Sequence, residues 1–452
     1  MDITFLGGVG TVTGSKYLIE HDSSRVLVDC GLFQGYKQLR LRNWAPLPVP
    51  PASIDHVLLT HAHLDHSGYL PLLVKNGFHK RVTCTDATRD LCGILLPDSG
   101  HLQEQDAVFA NRHRFSKHHP ALPLYTKEDA EKALRFLSPV SFDKEISLAP
   151  GMTARFLRGG HILGAAMIAI GIAGRTILFS GDLGRPNDPL MPPPENGPEA
   201  DVLVLESTYG NRRHSAESAE DALADVIARA AARGGSVIIP AFAVGRSQLL
   251  LFHLYNLRKA QRIPDLPIFF DSPLAIDATD IFQHHHADHR LSAATVKAVF
   301  SSARYIRSSE ESKALDSMRM PKVIVSASGM ATGGRVLHHL EDYASDHRNV
   351  ILFTGFQAGG TRGAAMVSGA KAIKIHGKWI PVEAEVRNLD MLSAHADADE
   401  ILAWLRTFTR PPHVTFITHG EPEASDALRK RIEDELHWEC VVPEYREKVA
   451  IA

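Results

Sequence analysis

The chain has 452 residues, of which 44% are hydrophobic, and it carries 49 Lys and Arg against 52 Asp and Glu, a formal net charge of −3. This length exceeds the size at which a single hydrophobic core usually stops growing, so two domains are expected. The near balance of charge excludes a polycationic tail, and any nucleic-acid binding must come from a local basic face.

The N-terminus, "MDITFLGG", enters a strand pattern at once, without the charged and apolar regions of a signal peptide. No window approaches the roughly 18 consecutive apolar residues of a membrane-spanning helix, so no membrane segment is expected. The four cysteines contain no Cys-x-x-Cys pair, which favours buried thiols in a reducing compartment over disulfides or metal ligands. Together these features predict a cytoplasmic protein.

The first strong signal in chain order is a pair of apolar strands that each end in a polar residue. "RVLVDCG" reaches Asp29, and "HVLLT" delivers the segment "HAHLDH" to the end of the next strand. Imidazole and carboxylate are usual zinc ligands, and this segment offers four of them within a short stretch of chain. His61 and His63 can point the same way, whereas Asp65 and His66 begin the next turn and can face a second ion. The segment therefore favours a metal site, with room for two adjacent ions, over the alternative of a histidine-rich surface loop.

The same arrangement of an apolar strand followed by a polar residue recurs further along the chain. "TILFSGDLG" reaches Asp182, "DVLVLEST" reaches Glu206, and "VTFITHGE" reaches His419. His161 and His395 lie in loops flanked by small residues, "RGGHILGAA" and "MLSAHADAD". Layered α/β enzymes assemble their sites from side chains at several strand ends, so these residues are expected along one edge.

Between Tyr209 and about Glu385 the pattern changes to long helical stretches that alternate with strands. This alternation predicts a second parallel sheet with helices around it. Because the His419 segment follows this block, the first domain must resume near residue 386, and the middle region is predicted to be an insertion.

The inserted block also contains small residues before predicted helices, in "FAVGRSQ" and "SASGM", where backbone N–H groups could meet a phosphate. A plain turn or a helix N-cap is the alternative for both segments. The candidate substrate-binding residues are Arg246, Ser247, Ser326, Ser328, Gly329, Met330 and His376.

These motifs together are similar to those of a known family. Asp29, "HAHLDH", "GGHILGA" and "SGDLG" resemble the metallo-β-lactamase fold, and "LESTYG", "SAHAD" and "THGE" resemble motifs A, B and C of its nucleic-acid-cleaving β-CASP subgroup. That subgroup includes the RNA-cutting subunit of the pre-mRNA 3′-end machinery. The resemblance implies an α/β fold in which a metallo-β-lactamase αββα sandwich (1–208 and 386–452) carries an inserted β-CASP α/β domain (209–385). In this family histidine at motif C accompanies RNA as substrate, so His419 implies an RNA-processing enzyme.

The resemblance also implies a role for each site residue. The ligands implied for one zinc ion are His61, His63 and His161, and those for the other are Asp65, His66 and His419. Asp182 would bridge the two ions. His395 would act as general acid towards the departing 3′ oxygen, with Glu206 hydrogen-bonded to its other nitrogen. Asp29 would fix a histidine tautomer or the loop without binding metal, the alternative being a capping or turn aspartate.

The principal hypothesis is a zinc-dependent ribonuclease that hydrolyses phosphodiester bonds of single-stranded RNA by a two-metal mechanism, with two Zn²⁺ per chain and manganese as the alternative metal. Endonucleases and 5′ exonucleases of the family share this site, and the short segment after His419 favours an endonuclease, alone or with 5′ exonuclease activity. Two other hypotheses stay open, a small-molecule hydrolase of the glyoxalase or lactonase type and a non-catalytic RNA-binding subunit. The sequence is compatible with a monomer or a homodimer.

Overall fold

The computed structural model of the protein describes residues 1–114 and 116–451. The chain divides into two compact units, the first formed by Met1–Arg213 and His395–Ala452 and the second by His214–Ala394. The second unit is therefore inserted into the first. The expected boundaries were at 208 and 385, and the divisions after Arg213 and Ala394 lie five and nine residues later.

The strands are β1 (Asp2–Gly7), β2 (Lys16–His21), β3 (Ser24–Val28), β4 (His56–Leu58), β5 (Arg81–Thr85), β6 (Leu137–Val140), β7 (Glu145–Ala149), β8 (Met152–Arg158), β9 (Ala166–Ile172), β10 (Arg175–Phe179), β11 (Val202–Glu206), β12 (Val237–Pro240), β13 (Ile268–Phe270), β14 (Arg304–Tyr305), β15 (Val323–Ser326), β16 (Val350–Phe353), β17 (Ala372–Ile375), β18 (Lys378–Pro381), β19 (Glu385–Asn388), β20 (Val414–Thr418), β21 (Cys440–Val441) and β22 (Lys448–Ala450). The α-helices are α1 (Lys37–Arg42), α2 (Leu64–Ser67), α3 (Leu70–Lys75), α4 (Asp86–His113), α5 (Lys127–Leu134), α6 (Ala219–Ala232), α7 (Arg246–Lys259), α8 (Pro273–His284), α9 (Ala293–Phe300), α10 (Ser309–Ser317), α11 (Val336–Tyr343), α12 (Arg362–Val367), α13 (Ala398–Leu405) and α14 (Pro422–Leu436). Short 3₁₀ helices span Pro51–Ser53 and Asp390–Leu392.

Two seven-stranded sheets form the centre of the first unit, with strand orders β22-β1-β2-β3-β4-β5-β6 and β21-β20-β11-β10-β9-β8-β7. Their facing sides share one hydrophobic core, in which the ring centroids of Phe5 and Phe416 lie 5.0 Å apart. Helices α13 and α14 bury Ile401 and Leu428 against the other face of the second sheet, and α4 contacts β5 and β6 of the first sheet. This is the predicted αββα sandwich.

The second unit is built on a six-stranded sheet with the order β14-β13-β15-β12-β16-β19, and every neighbouring pair in it is parallel. Strands β12, β13, β15 and β16 are buried along their whole length, as expected where helices cover both faces of a parallel sheet. Strands β17 and β18 form a separate antiparallel hairpin. The prediction of an inserted α/β domain is confirmed.

The strand order brings the candidate residues of the first unit to one edge. Strands β3 and β4 are parallel and are followed by Asp29 and the segment that begins at His61. Strands β10, β11 and β20 are also parallel, and Asp182 follows the first, Glu206 ends the second and His419 follows the third. The carboxyl ends of parallel strands meet at the same edge, where layered α/β proteins bind ligands.

Two of the predictions made from composition concern the cysteines and membrane-spanning helices. The four cysteines, Cys30, Cys84, Cys92 and Cys440, are buried and have free thiols. Among the described residues, every helix is too short or too polar to cross a membrane.

Candidate metal centre

The first group of potential ligands combines His61, His63, His161 and Asp182. The Nδ1 atom of His63 lies 3.1 Å from Nε2 of His61 and 3.3 Å from Nε2 of His161. Asp182 Oδ2 is 3.5 Å from Nε2 of both His61 and His161. Ligand nitrogens about 2.0–2.1 Å from a tetrahedral zinc ion are about 3.3 Å from one another, so the spacing of this group fits such an ion.

The second group contains Asp65, His66 and His419. The Nε2 atoms of His66 and His419 lie 3.2 and 3.5 Å from Asp182 Oδ1, and Asp65 Oδ2 is 4.0 Å from His419 Nε2. Asp182 therefore presents Oδ2 to the first group and Oδ1 to the second. A carboxylate in this position can bridge two ions.

Burial and neighbouring charges together set the pKa values of these groups, and for His66 the charges of Asp182 and Asp29 outweigh burial and raise the pKa well above the usual value. It lowers the pKa of His61 and His161 well below the usual histidine value, and that of His419 to about 3. Neutral imidazole is the form that binds a metal ion. Burial opposes ionisation of Asp182, but the charges of neighbouring histidines, led by His419, outweigh it and hold the pKa of Asp182 well below its usual value.

The centre also contains buried polar atoms that make no well-formed hydrogen bond among the described residues, including His66 Nε2 and Asp182 Oδ1, which lie 3.2 Å from each other. A buried polar atom of this kind costs about 1–3 kcal/mol unless another partner is supplied. A divalent cation would supply that partner to nitrogen and carboxylate together. The donor set and its burial therefore fit the zinc ions that the sequence predicted.

Polar contacts behind the ligands fix their orientation. Asp29 Oδ2 accepts a hydrogen bond from His66 Nδ1 at 2.7 Å, and its Oδ1 accepts one from the Thr60 backbone N–H at 2.8 Å. Ser15 Oγ lies 2.8 Å from His419 Nδ1. In both histidines Nδ1 is occupied in this way, which leaves Nε2 facing Asp182.

Two of these supporting residues were missed by sequence reasoning. Thr60 directly precedes His61, so its position beside the histidine segment was a signal that could have been used. Ser15 lies in "TGSKY" at the start of β2, and nothing in that stretch points to a histidine about 400 residues further along the chain.

His395 and Glu206 form a separate pair beside the ligands. Glu206 is 1% exposed, and its Oε1 accepts the Leu183 backbone N–H at 2.7 Å. Its two carboxylate oxygens lie 3.2 and 3.1 Å from His395 Nδ1, which is also 3.9 Å from Asp182 Oδ2. Burial opposes protonation of His395, but the charges of Glu206 and Asp182 outweigh it and raise its pKa. The pair can therefore hold a proton next to the candidate metal centre.

In the second unit, the backbone N–H groups before α7 are engaged within the turn that precedes the helix. Gly245 has a positive φ of 78°, and its N–H donates to Gln248 Oε1 at 2.7 Å. The N–H groups of Arg246 and Ser247 donate to carbonyl groups of the preceding turn at 3.0 and 3.2 Å. These three N–H groups close the turn, which is the alternative that the sequence left open beside a phosphate site.

Four other predicted substrate residues lie at the end of β15 and in the loop after it, namely Ser326, Ser328, Gly329 and Met330. Ser326 Oγ donates to the backbone carbonyl of Asp271 at 2.8 Å. A Cβ atom on Gly329 would lie 2.6 Å from the ring of Phe242, so this loop packs directly against the segment that follows β12. The structure thus brings the two predicted segments together at the carboxyl edge of the second sheet.

His376 has different neighbours. It lies between β17 and β18 with a φ of 46°, and its Nδ1 is 3.2 Å from Glu341 Oε1. The rings of His376 and His338 have centroids 5.0 Å apart. The structure places His376 beside α11, in a group with His338 and Glu341.

Comparison with known proteins agrees with this geometry. Residues 9–233 match the metallo-beta-lactamase superfamily, 247–366 match the Beta-Casp domain, and 379–443 match the Zn-dependent metallo-hydrolase RNA specificity domain. A ribonuclease of Thermus thermophilus is 36% identical over 441 residues, which cover 95% of each chain. The chain belongs to the β-CASP ribonuclease family of the metallo-β-lactamase superfamily. This β-CASP protein is accordingly a metal-dependent hydrolase.

Other relatives extend the β-CASP assignment. A transcription termination factor of Methanosarcina mazei is 32% identical over 97% of this chain and 69% of its own length. An RNase J-like protein of Methanocaldococcus jannaschii is 29% identical and covers 98% of this chain and 97% of its own. A crystal structure of a protein of unknown function from Enterococcus faecalis covers 100% of this chain and 99% of its own, with 12% identity and a TM-score of 0.54, and it supports the fold alone.

Proposed function

We propose that this β-CASP enzyme hydrolyses phosphodiester bonds of single-stranded RNA as an endonuclease, alone or with 5′ exonuclease activity at the same site. The observation that carries the proposal is the position of Asp182, which has one carboxylate oxygen towards each of two histidine groups. RNA as substrate is supported by the match to an RNA specificity domain and by the relatives named as ribonucleases.

In this proposal His61, His63 and His161 would hold one zinc ion, His66, His419 and Asp65 would hold the second, and Asp182 would be a ligand shared by the two groups. Two bound divalent ions supply Lewis-acid polarisation of the phosphodiester and lower the pKa of water, and manganese can replace zinc in a site of nitrogen and oxygen donors. Asp29 and Ser15 keep the imidazoles of His66 and His419 turned towards Asp182 through the contacts at Nδ1.

His395 is the proposed proton donor to the departing 3′ oxygen. An alkoxide is a poor leaving group, so a positioned acid lowers the barrier to its departure. The carboxylate of Glu206 lies 3.1 Å from His395 Nδ1, favours the protonated ring and fixes its plane. Because Nδ1 contacts Glu206, His395 would donate the proton to the 3′ oxygen from Nε2. Glu206 acts through His395 and is therefore a positioning residue.

The other two hypotheses account for fewer features. A small-molecule hydrolase of the glyoxalase or lactonase type has no use for the inserted second unit or for the Glu206–His395 pair. A non-catalytic RNA-binding subunit has no need of a full ligand set, and all seven ligand positions are occupied by histidine or aspartate here.

The test is cleavage of a labelled oligoribonucleotide, with an oligodeoxyribonucleotide of the same sequence as control. We expect internal cleavage of RNA that is lost with a chelator and restored by Zn²⁺ or Mn²⁺. Comparing 5′-triphosphate with 5′-monophosphate RNA separates the two activities, because mononucleotides released only from the monophosphate identify 5′ exonuclease action. RNA that stays intact in the presence of zinc would contradict the proposal.

A further inference from the structure

A basic, acid-free surface segment follows the first strand end of the candidate metal centre. Residues 30–54 contain Lys37, Arg40 and Arg42 and neither Asp nor Glu. The protein as a whole has a net charge of −3, whereas this segment has a net positive charge. Its charge is complementary to the phosphates of a nucleic acid.

The same segment exposes large apolar side chains. Tyr36, Leu41 and Trp44 are 53%, 54% and 58% exposed, and none of the six residues of α1 is buried. Clustered exposed apolar side chains mark binding surfaces, because exposure to water is unfavourable unless a ligand covers them. Aromatic rings among cations are the usual platform for single-stranded nucleic acids, since each base can stack on a ring while its phosphate meets a cation.

This surface is held firmly by the side chains beneath it. Asn43 is buried, and its amide accepts the Phe33 N–H at 2.9 Å and donates to the Phe33 carbonyl at 2.8 Å. The guanidinium of Arg42 lies 4.0 Å from the ring centroid of Tyr445. A platform fixed in this way loses little conformational entropy when a strand binds.

The segment is also joined to the loop that carries the candidate metal ligands. The Cys30 N–H donates to the His66 carbonyl at 2.7 Å, and the Leu32 N–H donates to the Leu64 carbonyl at 2.8 Å. Gly31 packs so closely that a Cβ atom there would lie 1.6 Å from the Asp65 carbonyl oxygen. The segment therefore begins, at residues 30–32, on the loop that carries the candidate ligands, and its exposed side chains start four residues later, at Tyr36.

We propose that Tyr36, Trp44 and the cations Lys37, Arg40 and Arg42 form a binding platform for the single-stranded RNA that is cleaved at the metal centre. This inference rests on the proposed function and names the residues of the first unit that hold the single-stranded RNA. Bases stack on Tyr36 and Trp44, and the three cations neutralise the phosphates between them. A second copy of the chain is disfavoured as the occupant, because a two-fold interface would set this basic patch against itself.

The test compares the double variant Tyr36→Ala/Trp44→Ala and the single variant Arg40→Gln with two matched controls. Trp379→Ala removes a 68% exposed tryptophan from β18 of the second unit, and Arg175→Gln removes an exposed arginine from the start of β10. All are made in metal-loaded protein that carries His395→Ala, which slows cleavage during the measurement. The probe is a fluorescent single-stranded oligoribonucleotide of about 12 nucleotides, a length that covers one such platform.

The double variant is expected to raise the Kd for this RNA by about tenfold or more for each lost stack. Arg40→Gln is expected to reduce the slope of log Kd against log salt by about 0.7, the value for one phosphate contact with a single strand. The two control variants should bind like their parent. Circular dichroism and thermal unfolding verify that each variant is folded.

Equal Kd values for the double variant, the controls and the parent would overturn the proposal. A change of oligomeric state in light scattering, with RNA affinity unchanged, would assign the surface to contacts between copies of the chain and would also overturn it. If the wild-type protein binds RNA through these residues but never cleaves it, the proposed function fails while the platform stands.

Discussion

Replacing Glu206 with glutamine should slow RNA cleavage by weakening His395 as a proton donor, while the metal ligands stay in place. The Glu206 carboxylate is 1% exposed, and both of its oxygens lie within 3.2 Å of His395 Nδ1. A hydrogen bond to a charged group is worth about 1.5–3 kcal/mol. If that interaction supports the protonated ring in the transition state, its loss lowers kcat by about 10- to 150-fold.

The assay uses two substrates that differ in their need for a proton. One is an oligoribonucleotide, whose 3′ alkoxide must be protonated as it leaves, and the other is a nucleoside p-nitrophenyl phosphodiester, whose phenolate leaves without a proton. We expect Glu206→Gln to lower kcat for RNA by the stated factor and to change p-nitrophenol release far less. His395→Ala should show the same preference, with a larger loss on RNA of about 10²- to 10⁴-fold.

Metal analysis of both variants is the control, because a lost ion would depress the two substrates together. An equal loss of rate on RNA and on the p-nitrophenyl ester, with full metal content, would refute the reasoning about proton donation. An unchanged kcat for RNA in Glu206→Gln would refute the positioning role of the carboxylate.

Three further predictions concern other contacts in the molecule. Ser15→Ala removes the hydroxyl beside His419 Nδ1 and should lower metal affinity by about 10- to 100-fold, as measured by competition with a chelator. His339 is buried between two carboxylates that outweigh the effect of burial and raise its pKa to about 9. The resulting stability, about 3 kcal/mol, is fully present below about pH 6.5 and is lost as pH rises through about 9, so urea unfolding should show this loss in the wild type and not in His339→Gln. Gly329→Ala would place a Cβ atom 2.6 Å from the ring of Phe242 and 2.8 Å from its backbone nitrogen, so it should lower the free energy of unfolding by about 1–3 kcal/mol in a thermal melt.

The sequence predicted the residues of the centre better than their arrangement. His61, His63, Asp65 and His66 stand close together, so their ligand chemistry is visible in one short segment. Asp182 could be found because an apolar strand ends just before it. The division into two groups around Asp182 came from the family resemblance, since spacing along the chain does not encode distances between residues that are far apart in sequence.

Other features could not be predicted because the same local sequence serves more than one purpose. A small residue before a helix can form an anion site or simply close a turn, and only the partners of the N–H groups at residues 245–247 decide between them. Ser15 has no periodic or compositional signal, because a hydroxyl that orients a distant imidazole depends only on the tertiary fold. The αββα layers were predictable from buried apolar runs and the resemblance, whereas the pairing of β22 with β1 was not.

The insertion of the second unit has a consequence for synthesis of the protein. Six of the seven candidate metal ligands lie within the first 182 positions. The seventh, His419, follows strand β20, which pairs with β11, and both are translated only after the whole second unit. During translation the second unit can fold as it leaves the ribosome, while the first waits for its last strands. A nascent chain therefore lacks one residue of the candidate centre, and we expect no metal-dependent hydrolysis from it until His419 has been translated.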